Sequence, residues 1–126
     1  MILLVEDDDD VRDMVALALE LDGYAVTCAR NGFEALAALG TLEPRPCLMI
    51  LDLRMPQMTG QQVIAQMAER GIDVPVCVIS AQSAPPPPEA VATLHKPFAP
   101  DELLALAARY CPHVAPRDPH DESRAR

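Results

Sequence analysis

The chain has few of the residues and segments that mark several common classes of protein. It contains no tryptophan, and aromatic residues make up 3% of its 126 positions although half of the residues are hydrophobic, so the core is expected to be aliphatic. No apolar run approaches the roughly eighteen residues of a membrane span, and acidic residues interrupt the apolar start too early for a secretory signal peptide. These absences predict a cytoplasmic protein with one domain and no membrane partner.

Basic residues are also scarce. Ten Lys and Arg residues stand against nineteen Asp and Glu residues, and the net charge of −9 argues against direct binding to nucleic acid. The four cysteines lie far apart without a C-x-x-C pair, so no zinc site or redox motif is indicated. Cys47 and Cys77 border or lie within apolar strand candidates and are expected to be buried free thiols.

Apolar runs alternate along the chain with segments of helical periodicity. Strands are predicted at Met1–Val5, Tyr24–Ala29, Leu48–Leu51, Val74–Ser80 and Ala92–His95. Helices are predicted from Asp10 (capping pair with Asp13) to Gly23, from Asn31 (with Glu34) to Leu39 with Gly40 as the stop, from Thr59 (with Gln62) to about Gly71, and from Pro100 to about Tyr110. This order predicts an α/β fold in which helices cover both faces of a parallel sheet.

The alternation breaks between the last two strands. Residues 81–91 contain four consecutive prolines, Pro85–Pro88, which lack backbone donors and favour extended geometry. We therefore expect a polyproline-like crossover in place of a helix. Beyond residue 111 the chain is charged and has almost no apolar residues, so residues 1–111 are expected to form the domain and residues 112–126 a disordered tail.

Side chains with useful chemistry follow the ends of four predicted strands. In an open parallel sheet, ligands bind beyond the carboxyl ends of the strands. These positions are held by Glu6, Asp7, Asp52, Ser80 and Lys96. Taken alone, Asp52 would be interpreted as a turn residue or a helix cap. The neighbouring Asp8–Asp10 are interpreted as helix caps and solvated charge.

Three carboxylates at one edge would repel one another by about 4 kcal/mol per pair at roughly 4 Å and an effective dielectric constant near 20. A cation is therefore expected, and hard oxygen ligands that leave room for water suit Mg²⁺. Lys96 supplies a point charge, and Ser80 a hydrogen bond, for a phosphoryl group. The edge is thus predicted to place phosphate on or beside Asp52.

Four motifs resemble those of the receiver domain of response regulators in two-component systems. They are Val5-Glu6-Asp7-Asp8, Leu51-Asp52-Leu53-Arg54-Met55-Pro56 with Gly60, Val78-Ile79-Ser80-Ala81 and Lys96-Pro97-Phe98. The motifs follow the family's order, and the resemblance extends over residues 1 to about 111. It implies a flavodoxin-like, doubly wound sheet of five parallel strands in the order 2-1-3-4-5.

The resemblance also implies a phosphoacceptor site. Asp52 would accept a phosphoryl group from a phosphohistidine on a sensor histidine kinase or a histidine phosphotransfer protein, which needs positioning and charge neutralisation more than covalent help. Asp7, Asp52 and the backbone carbonyl of Arg54 would hold Mg²⁺ (or Mn²⁺), and Glu6 would help through water. The chain would then be a phosphoacceptor signalling domain rather than an enzyme, with only self-catalysed phosphorylation and dephosphorylation of Asp52.

Further roles follow from the same resemblance. Ser80 and Lys96 would bind the phosphoryl oxygens, and the Lys96–Pro97 peptide bond would be cis. Arg54 and Gln82 stand at positions that resemble those tuning the lifetime of the acyl phosphate in the family, so they are expected to affect the rate of dephosphorylation.

Two departures from the family's pattern concern the output surface. The interval from Ser80 to Lys96 is shorter than usual by more than a helical turn, and prolines stand where the family has its fourth helix. Thr93 occupies the position where the family commonly has a Tyr or Phe that moves inward on phosphorylation. We expect a reshaped output surface, with the proline segment as a mobile switch or a docking strip for an unknown downstream protein.

The chain looks like a stand-alone receiver that signals through protein contacts, and homodimerisation is left open. One alternative is a pseudo-receiver that takes no phosphate and acts as a constitutive adaptor, but the intact acidic and basic set speaks against it. Another is a small Mg²⁺-dependent phosphatase with an aspartyl nucleophile. Such enzymes commonly carry an acidic residue two positions after the nucleophile, and here that position is Arg54.

Overall fold

Short apolar runs form a five-stranded parallel sheet in the computed structural model, which describes residues 1–81 and 85–112. The strands are β1 (Ile2–Val5), β2 (Val26–Ala29), β3 (Leu48–Asp52), β4 (Val76–Ser80) and β5 (Ala92–His95). The helices are α1 (Asp9–Leu21), α2 (Gly32–Thr41), α3 (Gly60–Glu69) and α4 (Pro100–Tyr110). Of the predicted disordered tail, residues 112–126, all but residue 112 lies outside the described residues.

The strands are arranged in the order β2-β1-β3-β4-β5, which confirms the predicted α/β class and the 2-1-3-4-5 order. β3 is central, and its register places Leu51 beside Val5 of β1 and Asp52 beside Ile79 of β4. Because all five strands run in the same direction, their C-terminal ends lie along one edge of the sheet. This edge is where doubly wound folds bind ligands.

Two apolar layers cover the sheet. α2 and α3 pack on one face, which includes Leu3 and Val78, and α1 and α4 pack on the other, which includes Leu4 and Ile50. Both layers are aliphatic as predicted, and Tyr24 is the single buried aromatic residue in the described part of the chain. β1, β3 and β4 are buried along their whole length, as expected for strands covered on both faces.

α1 begins two residues earlier than predicted. The carboxylate of Asp8 accepts hydrogen bonds from the backbone N–H groups of Asp10 and Val11, so Asp8 is the N-cap. The predicted capping pair of Asp10 with Asp13 is therefore wrong. Asp8 has the extended backbone of a cap residue, whereas Asp10 already lies in the first helical turn.

α2 starts as predicted but ends later. The side-chain oxygen of Asn31 accepts a hydrogen bond from the N–H of Glu34 at 2.8 Å. The helix then continues through Gly40 to Thr41, and the N–H of Leu42 still bonds to Ala38. The predicted stop at Gly40 is wrong because glycine can remain in a helical turn where no left-handed residue is required.

The predicted signals of the other two helices are present. Thr59 and Gln62 form a reciprocal capping box at the start of α3. Gly71, with a φ of 67°, follows the end of that helix in the left-handed conformation that favours glycine. Pro100 occupies the first position of α4, where its missing N–H has no helical partner to lose.

The described residues between β4 and β5 contain no helix, as predicted. Pro87 to Ala90 form a turn closed by a hydrogen bond of 3.0 Å from the N–H of Ala90 to the carbonyl of Pro87. Proline is favoured at the second position of such turns, which Pro88 occupies. The N–H of Val91 then bonds to the carbonyl of Val76 at 2.8 Å, and the chain enters β5.

Cys47 and Cys111 form a disulfide with a Cα–Cα distance of 5.4 Å. The prediction of a free thiol at Cys47 is therefore wrong, whereas Cys77 is free and buried as predicted, and Cys28 is free and exposed. The pairing had no sequence signal because 64 positions separate the two cysteines. The topology brings the residue before β3 beside the residue after α4.

Within residues 1–81 and 85–112, no helix combines the length and the apolar character needed to cross a lipid bilayer.

Candidate functional site

The C-terminal ends of four strands place polar residues along one edge of the sheet. Glu6 and Asp7 follow β1, Asp52 and Ser80 are the last residues of β3 and β4, and Lys96 follows β5. Glu6, Asp52 and Ser80 are buried, although the core around them is apolar. Buried polar groups are costly unless they are partnered. Their gathering here therefore indicates a site.

Three of these residues form an acidic cluster. Glu6, Asp7 and Asp52 each offer a carboxylate oxygen, and these three atoms lie within 4.8 Å of one another. Glu6 and Asp52 are buried, whereas Asp7 is exposed, so the cluster opens to solvent on one side. A set of hard oxygen donors with an open side fits Mg²⁺ or Mn²⁺, which retain water ligands in proteins.

Lys96 is the only lysine in the chain, and it lies against this cluster. Its Nζ is 3.6 Å from Oε1 of Glu6 and 3.7 Å from Oδ2 of Asp52. Both distances exceed that of a direct hydrogen bond. The side chain of Lys96 is 30% exposed, so it lies between the buried carboxylates and solvent.

The surroundings of Glu6 disfavour the ionised form of its side chain. Its Oε2 accepts a hydrogen bond of 3.2 Å from the N–H of Asp8, whereas its buried Oε1 has no hydrogen-bond partner among the described residues. Burial raises the pKa of Glu6 from 4.5 to about 7, and the neighbouring Asp52 carboxyl adds to the increase. The Asp8 N–H and the Lys96 ammonium partly oppose this shift. A cation beside the cluster would stabilise the ionised form of Glu6.

Backbone contacts fix Asp52 and its neighbours. The N–H of Arg54 donates to Oδ1 of Asp52 at 3.1 Å, which orients the carboxylate. The side chain of Arg54 itself points to solvent and is exposed. On the far side, the N–H of Lys96 donates to the carbonyl of Ser80 at 2.9 Å, so these two residues are fixed relative to each other. The Lys96–Pro97 peptide bond is cis.

Of the other two candidate positions, the structure describes Thr93. Thr93 is a partly buried residue of β5, paired in register with Val78. Gln82 lies outside the described residues.

Two residues support the site that the sequence motifs did not single out for this purpose. Nη1 of Arg12 donates to the carbonyl of Glu6 at 3.0 Å, and this guanidinium also pairs with Asp9. Gly60 belongs to the Asp52 motif of the sequence, and a Cβ at this position would lie 2.8 Å from the carbonyl oxygen of Asp52 and from Cα of Leu53. The close approach of α3 to the end of β3 therefore requires glycine. No spacing rule marks Arg12.

A family model for the response regulator receiver domain matches residues 2–108. The chain belongs to the response-regulator receiver family. Response regulators interact with histidine kinases or phosphotransfer proteins, and the receiver is a signalling domain.

Receiver-containing relatives show the same family in longer proteins. The response regulator MprA of Mycolicibacterium vanbaalenii is 36% identical, with the alignment covering 98% of this chain and 55% of that protein. MprA of Mycobacterium avium is 35% identical, with 93% and 53% covered. The receiver chain described here thus spans about half the length of the curated relatives it matches.

Solved receiver structures have the same fold. The chemotaxis response regulator CheY4 of Vibrio cholerae superposes with a TM-score of 0.74 at 30% identity, covering 86% of this chain and 96% of that one. TrrA of Thermotoga maritima, solved in complex with Mg²⁺ and BeF, gives a TM-score of 0.77 at 27% identity with the same coverage.

Proposed function

We propose that Asp52 is the phosphoacceptor of this receiver and takes its phosphoryl group from a phosphohistidine on a histidine kinase or phosphotransfer protein in the cytoplasm. The observation that carries this proposal is the position of the Asp52 carboxylate, which belongs to the acidic cluster and lies 3.7 Å from Nζ of Lys96. In the transfer, the N–P bond of the phosphohistidine breaks and an O–P bond forms on Asp52. The imidazole leaves with the electron pair.

Asp7, Asp52 and the backbone carbonyl of Arg54 would hold Mg²⁺ or Mn²⁺, with Glu6 acting through water. The support is the acidic cluster itself and Oε1 of buried Glu6, which accepts no hydrogen bond from the described residues. When bound, the metal neutralises negative charge on the carboxylates and on the transferring phosphoryl group. The chain's part is to hold Asp52 in place, which the N–H of Arg54 does.

Lys96 and Ser80 would bind oxygens of the phosphoryl group on Asp52. Their backbones are linked at the ends of β4 and β5, and Nζ of Lys96, 3.7 Å from Oδ2 of Asp52, is near enough to reach a phosphoryl oxygen on that carboxylate. Hydrolysis would return Asp52 to its free form when water attacks phosphorus and the acyl oxygen leaves. Arg54 and Gln82 would tune that rate.

The phosphate donor would dock beside this edge, on α1. Met14, Leu17 and Leu21 form an exposed apolar row, which we name the α1 stripe. Its first residue also lines a surface depression of about 460 Å³ together with Val11, Lys96, Pro97 and Phe98. A partner covering the α1 stripe would therefore reach the mouth of the site, and exposed acidic residues on α1 favour a basic rim on that partner.

Output to a downstream protein would use a surface without the family's fourth helix. In its place the described residues present exposed Pro85 and Pro86, and the strand beside them carries Thr93 instead of an aromatic residue. We infer that phosphorylation of Asp52 alters the proline segment. NMR spectra with and without Mg²⁺ and BeF should then show shift changes at Thr93 and residues 85–91, and an unchanged segment would contradict this output route.

The phosphoacceptor proposal is tested by intact mass. The protein is incubated with acetyl phosphate and Mg²⁺, with Asp52→Ala as the test variant and Asp13→Ala as a matched loss of one exposed carboxylate. A hydroxylamine-labile phosphoryl adduct is expected in the native chain and in Asp13→Ala, and not in Asp52→Ala or in EDTA. If no adduct forms even with a panel of phosphorylated kinases, the adaptor function is favoured. Continuous release of phosphate from monoesters would instead favour a phosphatase.

A further inference from the structure

The disulfide joins a fixed element to the last described helix. Cys47 stands directly before central strand β3, and its N–H donates to the carbonyl of Met1 at 3.0 Å, so its backbone is tied to the sheet. Cys111 directly follows α4, and its N–H donates to the carbonyl of Ala107 at 2.7 Å. The bond therefore fastens the C-terminal end of α4 to the sheet.

Besides the disulfide, this end of α4 is held mainly by partly buried side chains. Leu103 and Ala107 are the buried residues of the helix, and the partly buried Leu106 and Tyr110 pack against the same apolar layer. In the last turn, the hydroxyl of Tyr110 donates to the carbonyl of Val91 over 3.4 Å, which is long for an O–H···O bond. Loss of the disulfide would thus leave the last turn held by its helical hydrogen bonds and by the contacts of partly buried Tyr110.

The disulfide lies at the N-terminal ends of the strands, whereas the candidate phosphoacceptor lies at their C-terminal ends. β3 carries the chain from Cys47 to Asp52, a span of about 16 Å at roughly 3.3 Å per residue. α4, in contrast, runs from one end of the strands to the other. It begins at Pro100, four residues after Lys96, and ends at the disulfide. A change at the disulfide can therefore alter α4 without touching the carboxylate cluster.

We propose that Cys47 and Cys111 form a reversible thiol–disulfide site whose reduction releases the C-terminal end of α4. The reductant would be a dithiol. One of its thiolates attacks Sγ of partly exposed Cys47, because Cys111 is only 4% exposed, and Cys111 leaves as a thiolate that takes up a proton. The second thiol of the reductant then breaks the mixed disulfide and frees Cys47, and the reductant becomes a disulfide. A small-molecule disulfide such as oxidised glutathione reverses the reaction.

The pairing and its consequence are separately measurable on the full chain. After treatment with oxidised glutathione, unfolding in N-ethylmaleimide should label two cysteines, Cys28 and Cys77, and peptide mapping should find Cys47 linked to Cys111. After dithiothreitol, four cysteines should be labelled. Labelling of all four after oxidation, or a disulfide that includes Cys28 or Cys77, would overturn the proposal. Cys28→Ser serves as a control that should leave the native pairing intact.

Hydrogen exchange tests the release of α4. Backbone amides of residues 108–111 should exchange about tenfold faster in the reduced protein than in the oxidised one, while amides of α2 should be unaffected. The melting temperature of the oxidised form should be higher by roughly 10 °C. A Cys47→Ala/Cys111→Ala variant should exchange like the reduced form whether or not dithiothreitol is present. Equal exchange of α4 in the two redox forms of the native chain would show that the disulfide does not hold this helix end.

Discussion

The Nζ of Lys96 lies 3.7 Å from Oδ2 of Asp52, at the junction of two strand ends. The two residues come from β3 and from the end of β5, with β4 between them in the sheet. The ammonium thus stands beside the carboxylate without contacting it directly, and it stands equally close to Glu6. This arrangement places the lysine within reach of a group bound to Asp52.

Replacing Lys96 with methionine should slow formation of the Asp52 adduct from acetyl phosphate by about 10- to 100-fold, because a hydrogen bond to a charged group contributes roughly 1.5–3 kcal/mol. Lys96→Arg should recover part of the rate, since it keeps the charge but not the compact shape of the ammonium. The rate is measured by intact mass against time. Arg70→Met removes an exposed cation just after α3 and should leave the rate unchanged. An unaltered rate in Lys96→Met would exclude a role for this lysine in phosphoryl binding.

Gly60→Ala should destabilise the fold by about 2–4 kcal/mol and slow adduct formation. Its new Cβ would lie 2.8 Å from the carbonyl oxygen of Asp52 and from Cα of Leu53, and neither backbone atom can move without shifting the end of β3. Urea denaturation measures the loss of stability.

Gly40→Ala is the matched control for that substitution. Gly40 lies inside α2, and a Cβ there would meet no atom of the described part of the chain within 4 Å. Alanine should therefore stabilise the protein by about 0.5–1 kcal/mol through helix propensity. Similar free energies of unfolding for the two variants would contradict the close approach of α3 to β3.

Sequence patterns anticipated what depends on local chemistry. The capping box of Thr59 and Gln62, the start of α4 at Pro100 and the crossover without a helix follow from the hydrogen-bonding capacity of individual residues, and all three are present among the described residues. The acidic cluster followed from a topological rule about strand ends. The choice of N-cap for α1 could not be predicted from the sequence, because Asp8 and Asp10 are both good caps and only backbone geometry selects Asp8.

Contacts between distant segments were not predictable in this way. The disulfide joins positions 64 residues apart, and no spacing motif connects them. Likewise, the hydrogen bond from Arg12 to the carbonyl of Glu6 depends on how α1 packs against the end of β1. Both contacts can be identified only in the folded structure, because hydrophobic periodicity and capping residues do not indicate which surfaces pack together.

The metal-free protein should lose stability as pH rises from about 4.5 to about 7. The folded pKa of Glu6 is raised from 4.5 to about 7, so the folded state binds more protons than the unfolded state in this interval. Stability then falls with pH across it, and the contribution is constant above the interval. Urea denaturation in EDTA at several pH values measures this, with Glu6→Gln as the control that lacks the titrating group. The native chain should lose stability relative to Glu6→Gln up to about pH 7, and Mg²⁺ should reverse the loss. Parallel pH profiles for the two proteins would contradict the raised pKa.

Met14→Lys should weaken transfer from a phosphorylated kinase or phosphotransfer protein and spare transfer from acetyl phosphate. Met14 is 60% exposed in the α1 stripe and lines the depression beside Lys96. Burying it against a partner would contribute roughly 1.5–3 kcal/mol, so its loss should lower the transfer rate by about tenfold or more. The donor is whichever phosphorylated protein of a panel reacts fastest with the native chain. Phe33→Lys removes a similarly exposed apolar side chain, 57% exposed, from α2 and should leave the transfer rate unchanged. Equal slowing by both variants would indicate a general effect of added charge, and equal slowing with acetyl phosphate would place the defect of Met14→Lys in the site rather than in docking.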